Sequence, residues 1–230
     1  MTWLKYLELI EVNNLSYKDI LHEVSLSISE NLVILGENGA GKSTLAKFMC
    51  GLIPSNKIFL DKKELTSYKN RAQLINYIPA TLSVYDENIT VQEYLQSAFY
   101  TSEIDFEAIK NMMQTFALHQ QTLHTLSSGQ KQLLQIALAR LQNAKITIFD
   151  EPTANLDPQN SKKIFNILTN HFQQKIIITH DLNLAYKLGY KVLYLYEGHV
   201  AFFGSFKEFL AKDFYNGSVL LTPHGIVIDL

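Results

Sequence analysis

The chain has 230 residues, the length of one domain or of one domain with an inserted subdomain. Hydrophobic residues make up 47% and charged residues 18%, which supports a sizeable core and excludes a disordered chain. With 20 basic and 22 acidic side chains the net charge is −2, so no cationic field is available to drive nucleic-acid binding, and no such partner is expected.

In chain order, the opening MTWLKYLELIEV carries Glu8 and Glu11 and lacks the apolar run of a signal peptide. No window of the sequence reaches the roughly 20 apolar residues of a membrane span. A cytoplasmic location is therefore expected. Short apolar runs at 32–35, 145–149, 175–179 and 191–195 read as strands, separated by longer helical patterns. The second and third, ITIF and IIIT, suit strands covered on both faces of a parallel sheet. Between 91 and 141 the pattern is helical, in QEYLQSAFY, FEAIKNMMQTFAL and QKQLLQIALARL, which predicts a helical insert in an α/β core. Cys50 stands alone, so no internal disulfide framework exists, and it reads as a small core residue. The final SVLLTPHGIVIDL alternates around Pro223 and Gly225 and predicts a terminal hairpin.

The strand NLVIL leads into Gly36-Glu37-Asn38-Gly39-Ala40-Gly41-Lys42-Ser43-Thr44, a match to G-x-x-x-x-G-K-[ST]. Glycines let successive backbone N–H groups curl around phosphates, and the helix that follows offers its positive end. Lys42 is expected to reach the β and γ phosphates, and the Ser43 hydroxyl to ligate Mg²⁺. Kinases, GTPases, helicases and transport ATPases all use such a loop. No Asn-Lys-x-Asp base-reading segment occurs, which argues against a GTPase.

Strand 145–149 runs into Asp150-Glu151-Pro152. A carboxylate at the C-terminal edge of an α/β strand projects toward the ligand crevice. Asp150 is expected to hold Mg²⁺, and Glu151 to orient and deprotonate an attacking water. Asp157-Pro158 reads as the N-cap and first residue of a helix. Upstream, Leu126-Ser127-Ser128-Gly129-Gln130 opens another helix, with Ser127 as its cap and a second anion-binding end.

Taken in order, GENGAGKST, LSSGQ, ITIFDEPTANLD and IITHD resemble the nucleotide-binding subunits of ATP-binding cassette (ABC) transporters, over about residues 7–210. The resemblance implies a P-loop NTPase core (about 1–80 and 141–215), an N-terminal antiparallel β subdomain, an α-helical subdomain at about 81–140 and a tail at 216–230. It implies a head-to-tail dimer in which each ATP lies between the phosphate loop of one copy and the LSSGQ helix of the other. A membrane permease would be a separate polypeptide, holding this subunit at the inner face of the cell membrane. Tyr17 matches the aromatic residue that stacks on adenine, Asp157 the loop that meets the opposite subunit, and His180 the switch histidine that senses the γ-phosphate. The segments FALHQQTLHTLSSGQ and ITVQEYL resemble the iron-siderophore, haem and cobalamin branch of bacterial importers.

Two positions depart from the family pattern. Ser128 replaces the first glycine of LSGGQ, at about 1 kcal/mol if its φ is positive and nearly free of cost if negative. In NYIPA, Ala80 replaces a switch-loop Gln whose carbonyl oxygen helps ligate Mg²⁺ or water. Loss of such a bond predicts slower hydrolysis or altered coupling, by roughly 10- to 150-fold if the bond forms only in the transition state. Two other readings stay open: a weakly hydrolytic nucleotide-binding module, and an ABC ATPase not coupled to transport.

Overall fold

The computed structural model describes residues 8–83, 86, 88–99, 103–154, 156–212, 218–222 and 225–229. Its strands are β1 (Ile10–Tyr17), β2 (Leu21–Ile28), β3 (Leu32–Gly36), β4 (Ile58–Leu60), β5 (Lys63–Glu64), β6 (Ile75–Ile78), β7 (Ile146–Asp150), β8 (Gln174–Ile178), β9 (Lys191–Tyr196), β10 (His199–Gly204), β11 (Ser218–Thr222) and β12 (Gly225–Asp229). Its α-helices are α1 (Lys42–Met49), α2 (Arg71–Leu74), α3 (Val91–Gln96), α4 (Phe106–Phe116), α5 (Ser128–Gln142), α6 (Pro158–His171), α7 (Leu182–Leu188) and α8 (Phe206–Leu210). The chain divides into two compact units, Met1–Arg71 with Gln174–Leu230, and Ala72–Gln173.

In the first unit, an antiparallel sheet has the strand order β2-β1-β4-β5. Ile10, Val12 and Leu15 all point inward, although the step from 12 to 15 breaks the two-residue period of a strand. The register slips between Val12 and Leu15, where Asn14 sits at φ 51. One extra residue in the left-handed region, which Asn tolerates well, brings the third apolar side chain back to the core face. The second sheet of this unit has the order β10-β9-β3-β8. β3 runs parallel to β8 and β9, pairing Leu32 with Ile176 and Gly36 with Leu195. Every residue of β3 is buried, as its continuous apolar run requires. Cys50 caps the end of α1 in the core, where burial pushes its thiol up to about 11. β11 and β12 form the expected hairpin, with Val219 opposite Ile228; the turn at 223–224, like residues 1–7 of the opening segment, lies outside the described residues.

In the second unit β6 and β7 pair in parallel, Ile75 with Ile146 and Ile78 with Phe149. The three predicted helical stretches form α3, α4 and α5, and α5 packs against α3, α4 and α6. α3 starts at a capping box: Thr90 Oγ1 accepts from Glu93 N, and the Glu93 carboxylate accepts from Thr90 N. α4 ends at Ala117 with φ 53, and Lys163 Nζ on α6 donates to the Phe116 carbonyl at 3.1 Å. That bond satisfies one of the acceptors a helix C-terminus leaves open.

The four strands read from sequence are all present, with ends shifted by one residue. The shift at β7 brings Asp150 into the strand as its last residue.

Candidate functional site

The first unit carries the phosphate loop. β3 ends at Gly36 and the chain turns through 37–41 into α1, whose N-cap is Gly41 at φ 95 with no side-chain cap. The first amides of α1 thus have no acceptor from their own cap residue, and a bound anion can use them. Lys42 is buried, and its Nζ donates to the carbonyls of Gly36 at 2.7 Å and Glu37 at 2.8 Å. A buried ammonium held by the backbone of a loop that leads into an uncapped helix N-terminus is suited to a polyphosphate, because the ammonium charge and the helix-end donors belong to one short segment. Ala40 N donates to Glu37 O at 3.2 Å and closes the loop. Ser43 and Thr44 are half-buried in the first turn of α1, while Glu37, Asn38 and Gly39 are exposed.

His180 follows β8 in the same unit. On one side Thr179 N donates to Ile34 O at 3.1 Å; on the other, Asp181 N donates to Thr179 Oγ1 at 3.0 Å. Asp181 then caps α7 by accepting from Asn183 N and Leu184 N. The exposed imidazole is therefore carried on backbone held from both sides. Tyr17, half-buried at the end of β1, meets Phe48 edge-on with ring centroids 5.0 Å apart, and Lys18 Nζ lies 5.0 Å from its centroid. A cavity of about 590 Å³, lined among others by Asn14, Tyr17, Phe48 and Asn56, opens beside these rings. Its aromatic wall can take a planar base.

The second unit carries the carboxylates and the LSSGQ segment. Asp150 is only 5% exposed, and its Oδ2 accepts from the Tyr77 hydroxyl at 2.7 Å. Glu151, next along, has φ 47, a conformation uncommon outside glycine and asparagine. Ala154 N donates to Glu151 O at 3.1 Å, so the chain turns at once after the strand. A non-glycine residue held left-handed beside a buried carboxylate is the kind of strain that collects at working sites.

Ser127 is the N-cap of α5. Its Oγ accepts from Gln130 N at 3.3 Å, and Gln130 Oε1 accepts from Ser127 N at 2.9 Å. The reciprocal bonds occupy both side chains, and the amides of Ser128 and Gly129 have no intrahelical acceptor. Ser128 is the first helical residue and has no positive φ, which settles the alternative left by its sequence in favour of the nearly free one. Gly129 is packed so closely that a β-carbon there would lie 3.0 Å from Asn160 Nδ2. The same Nδ2 donates to Asp157 Oδ2 at 2.6 Å. Asp157 caps α6 as its sequence implied, accepting from Gln159 N and Asn160 N, and the bonds from Asn160 hold its carboxyl below the usual range. Asn155, between Asp150 and Asp157, lies outside the described residues, as do residues 84, 85 and 87 after the switch strand. Ala80 is exposed.

Sequence reasoning passed over Tyr77 and Asn160. Tyr77 lies 73 residues from its partner, and only the β6–β7 register brings them together. Asn160 had a signal, since a side chain three residues after an N-cap Asp faces that cap.

Comparison with known proteins matches residues 21–154 to the family described as ABC transporter. The chain is 34% identical over 221 residues to an Archaeoglobus fulgidus protein described as "Probable branched-chain amino acid transport ATP-binding protein LivF", covering 87% of this chain and 92% of that one. It is 32% identical to a Lactococcus lactis "Lactococcin transport/processing ATP-binding protein LcnC-like", but spans only 30% of that longer protein. Among solved structures, an ATP-binding subunit of an ABC transporter superposes with a TM-score of 0.75 at 26% identity, over 87% of this chain and 91% of that one. CbiO1 of Clostridium perfringens, part of the ABC transporter complex CbiONQ, gives 0.74 at 26% identity, over 90% and 92%. Among the described residues no helix is long and apolar enough to cross a membrane.

Proposed function

Because the chain belongs to the ABC transporter family as an ATP-binding, ATP-hydrolysing subunit, we propose that it drives solute import in bacteria through a separate membrane permease. The observation that carries its ATP chemistry is the phosphate loop, with its uncapped helix end and the buried Lys42 over the Gly36 and Glu37 carbonyls. The amides of 37–44 bind the phosphates, Lys42 neutralises the β and γ groups, and Tyr17 stacks on adenine. Among the described residues no three His, Cys, Asp or Glu side chains converge on a metal. A hydroxyl and a carboxylate are hard oxygen donors, and they suit a Mg²⁺ ion that keeps water and phosphate ligands. Ser43 and Asp150 would hold it, and when bound it spreads the negative charge of the phosphates.

Glu151 takes a proton from the attacking water as the water oxygen bonds to the γ-phosphorus and the β–γ bridging bond breaks, leaving ADP. His180 hydrogen-bonds the γ-phosphate and registers its departure. The amides of Ser128 and Gly129, with Ser127 and Gln130 framing them, receive the γ-phosphate of ATP held by a second copy of the chain. Asp157 meets that copy through its loop. ATP closes the pair and hydrolysis with phosphate release reopens it. Near-full-length likeness to separate ATP-binding subunits supports a permease on another polypeptide, and with it a place at the inner membrane face. The cargo we propose is an iron-siderophore, haem or cobalamin, on the likeness of the 116–130 and 89–95 segments alone.

The test is reconstitution in vesicles with the multi-span permease of a neighbouring reading frame. ATP-driven uptake of the cargo that Glu151→Gln abolishes supports the proposal; ATP hydrolysis with no uptake of any solute counts against it. Ala80 favours one further reading, a weakly hydrolytic subunit. Ala80→Gln raising turnover about 10-fold or more would support it.

A further inference from the structure

β6 and β7 run parallel, with Tyr77 opposite Ile148. Asp150 lies two residues beyond Ile148, on the side toward which β6 also runs. This register delivers the half-buried Tyr77 hydroxyl to 2.7 Å from Asp150 Oδ2, inside a strand pair whose apolar neighbours Ile75, Ile78, Ile146, Ile148 and Phe149 are buried. The hydroxyl donates a short hydrogen bond to one carboxylate oxygen. It also restricts the rotation of a carboxylate that has little solvent to turn in. Three residues after Tyr77, past the end of β6, the chain reaches Ala80, where the side chain offers neither donor nor acceptor.

We propose that Tyr77 is the positioning residue of Asp150: its hydroxyl holds the carboxylate oriented for the cation of Mg·ATP and ties the strand leading to the switch loop to that cation. The inference rests on the reading of Asp150 as a cation ligand. Partners that orient metal ligands change metal affinity by about 10- to 100-fold when removed. Tyr77 is well suited to such a role, because a phenol hydroxyl moves only with its ring, and the ring is fixed in the strand. Phe at this position keeps the ring and removes the hydroxyl.

The experiment uses the full chain with a non-hydrolysable ATP analogue and Mn²⁺ as the probe. Mn²⁺ affinity of the protein–nucleotide complex is read by electron paramagnetic resonance for the wild type, Tyr77→Phe and Asp150→Asn. Analogue affinity in EDTA and thermal midpoint are read alongside. The proposal expects Tyr77→Phe to weaken Mn²⁺ about 10-fold or more and alter its spectrum, with metal-free analogue affinity within about 2-fold. If Asp150→Asn weakens Mn²⁺ and Tyr77→Phe leaves it within 2-fold, Tyr77 has no positioning role and the reading of Asp150 stands. If Asp150→Asn also leaves Mn²⁺ unchanged, Asp150 is not a cation ligand and the proposal fails with that reading. If Tyr77→Phe lowers metal-free analogue affinity and thermal midpoint as much as it lowers Mn²⁺ affinity, the hydroxyl is structural and the proposal is overturned.

Discussion

Gly39 and Gly41 form a matched pair in the phosphate loop, with φ values of 87 and 95. Placing alanine at either position forces a β-carbon into backbone that L-residues rarely adopt, at a cost of about 1–2 kcal/mol. Their surroundings differ. A β-carbon on Gly39 meets no atom within 4 Å, whereas one on Gly41 would lie 2.8 Å from both the Ile20 carbonyl oxygen and Leu21 Cδ2. The carbonyl belongs to the backbone and cannot swing aside, so Gly41→Ala adds an overpacking cost of about 1–3 kcal/mol. Gly39→Ala is therefore expected to lose about 1–2 kcal/mol and Gly41→Ala about 2–5 kcal/mol. For a chain of this size that corresponds to thermal midpoints lower by about 2–8 °C and about 4–20 °C. Denaturant titration of nucleotide-free protein measures both directly, apart from any effect on ATP. Equal losses, or a larger loss for Gly39→Ala, would refute the reasoning that the Ile20 carbonyl dictates glycine at 41.

Other expectations follow from the caps and helix ends. Ser128→Gly, which restores the family's signature, is expected to change stability by no more than about 0.5 kcal/mol and turnover by no more than a few-fold, since Ser128 already has helical φ; urea titration and phosphate release check it. Ala117→Gly, at the left-handed end of α4, is expected to stabilise the protein by up to about 1 kcal/mol, read as a higher denaturation midpoint. Hydrogen bonds within helix caps hold the carboxyls of Glu93, Asp157 and Glu208 below their ordinary values. Their contribution is present above the unfolded carboxylate pKa of about 4 and lost as pH falls through the lower folded values. Glu208→Gln should therefore flatten the fall of stability between about pH 5 and pH 3, measured by denaturant titration across that range.

Much of the site was legible because its chemistry is local. The glycine spacing of 36–41, the cap residues Ser127 and Asp157 and the strand-end Asp150 are each read from a few adjacent residues, and the structure gives them the local geometry those residues imply. The φ of Ser128 stayed open in the sequence and was settled by the structure, where Ser128 is the first helical residue after the Ser127 cap. What the sequence hid depends on register or on backbone strain. The left-handed φ of Glu151 has no marker in a residue type that ordinarily avoids it, and the same holds for Glu23 in β2 at φ 50. Asn14 was a weak hint of the irregularity in β1, visible only in the uneven spacing of Val12 and Leu15. The Tyr77–Asp150 bond spans two strands far apart in sequence, and nothing short of their pairing announces it.

The central proposal is that ATP hydrolysis by this chain uses Glu151 as the base and Lys42 as the phosphate ligand. Steady-state phosphate release at saturating Mg·ATP, for the wild type, Glu151→Gln and Lys42→Ala, tests it most directly. The account expects Glu151→Gln to fall by about 100-fold or more while still binding ATP, and Lys42→Ala to lose ATP affinity as well. Equal rates in the wild type and Glu151→Gln would contradict it.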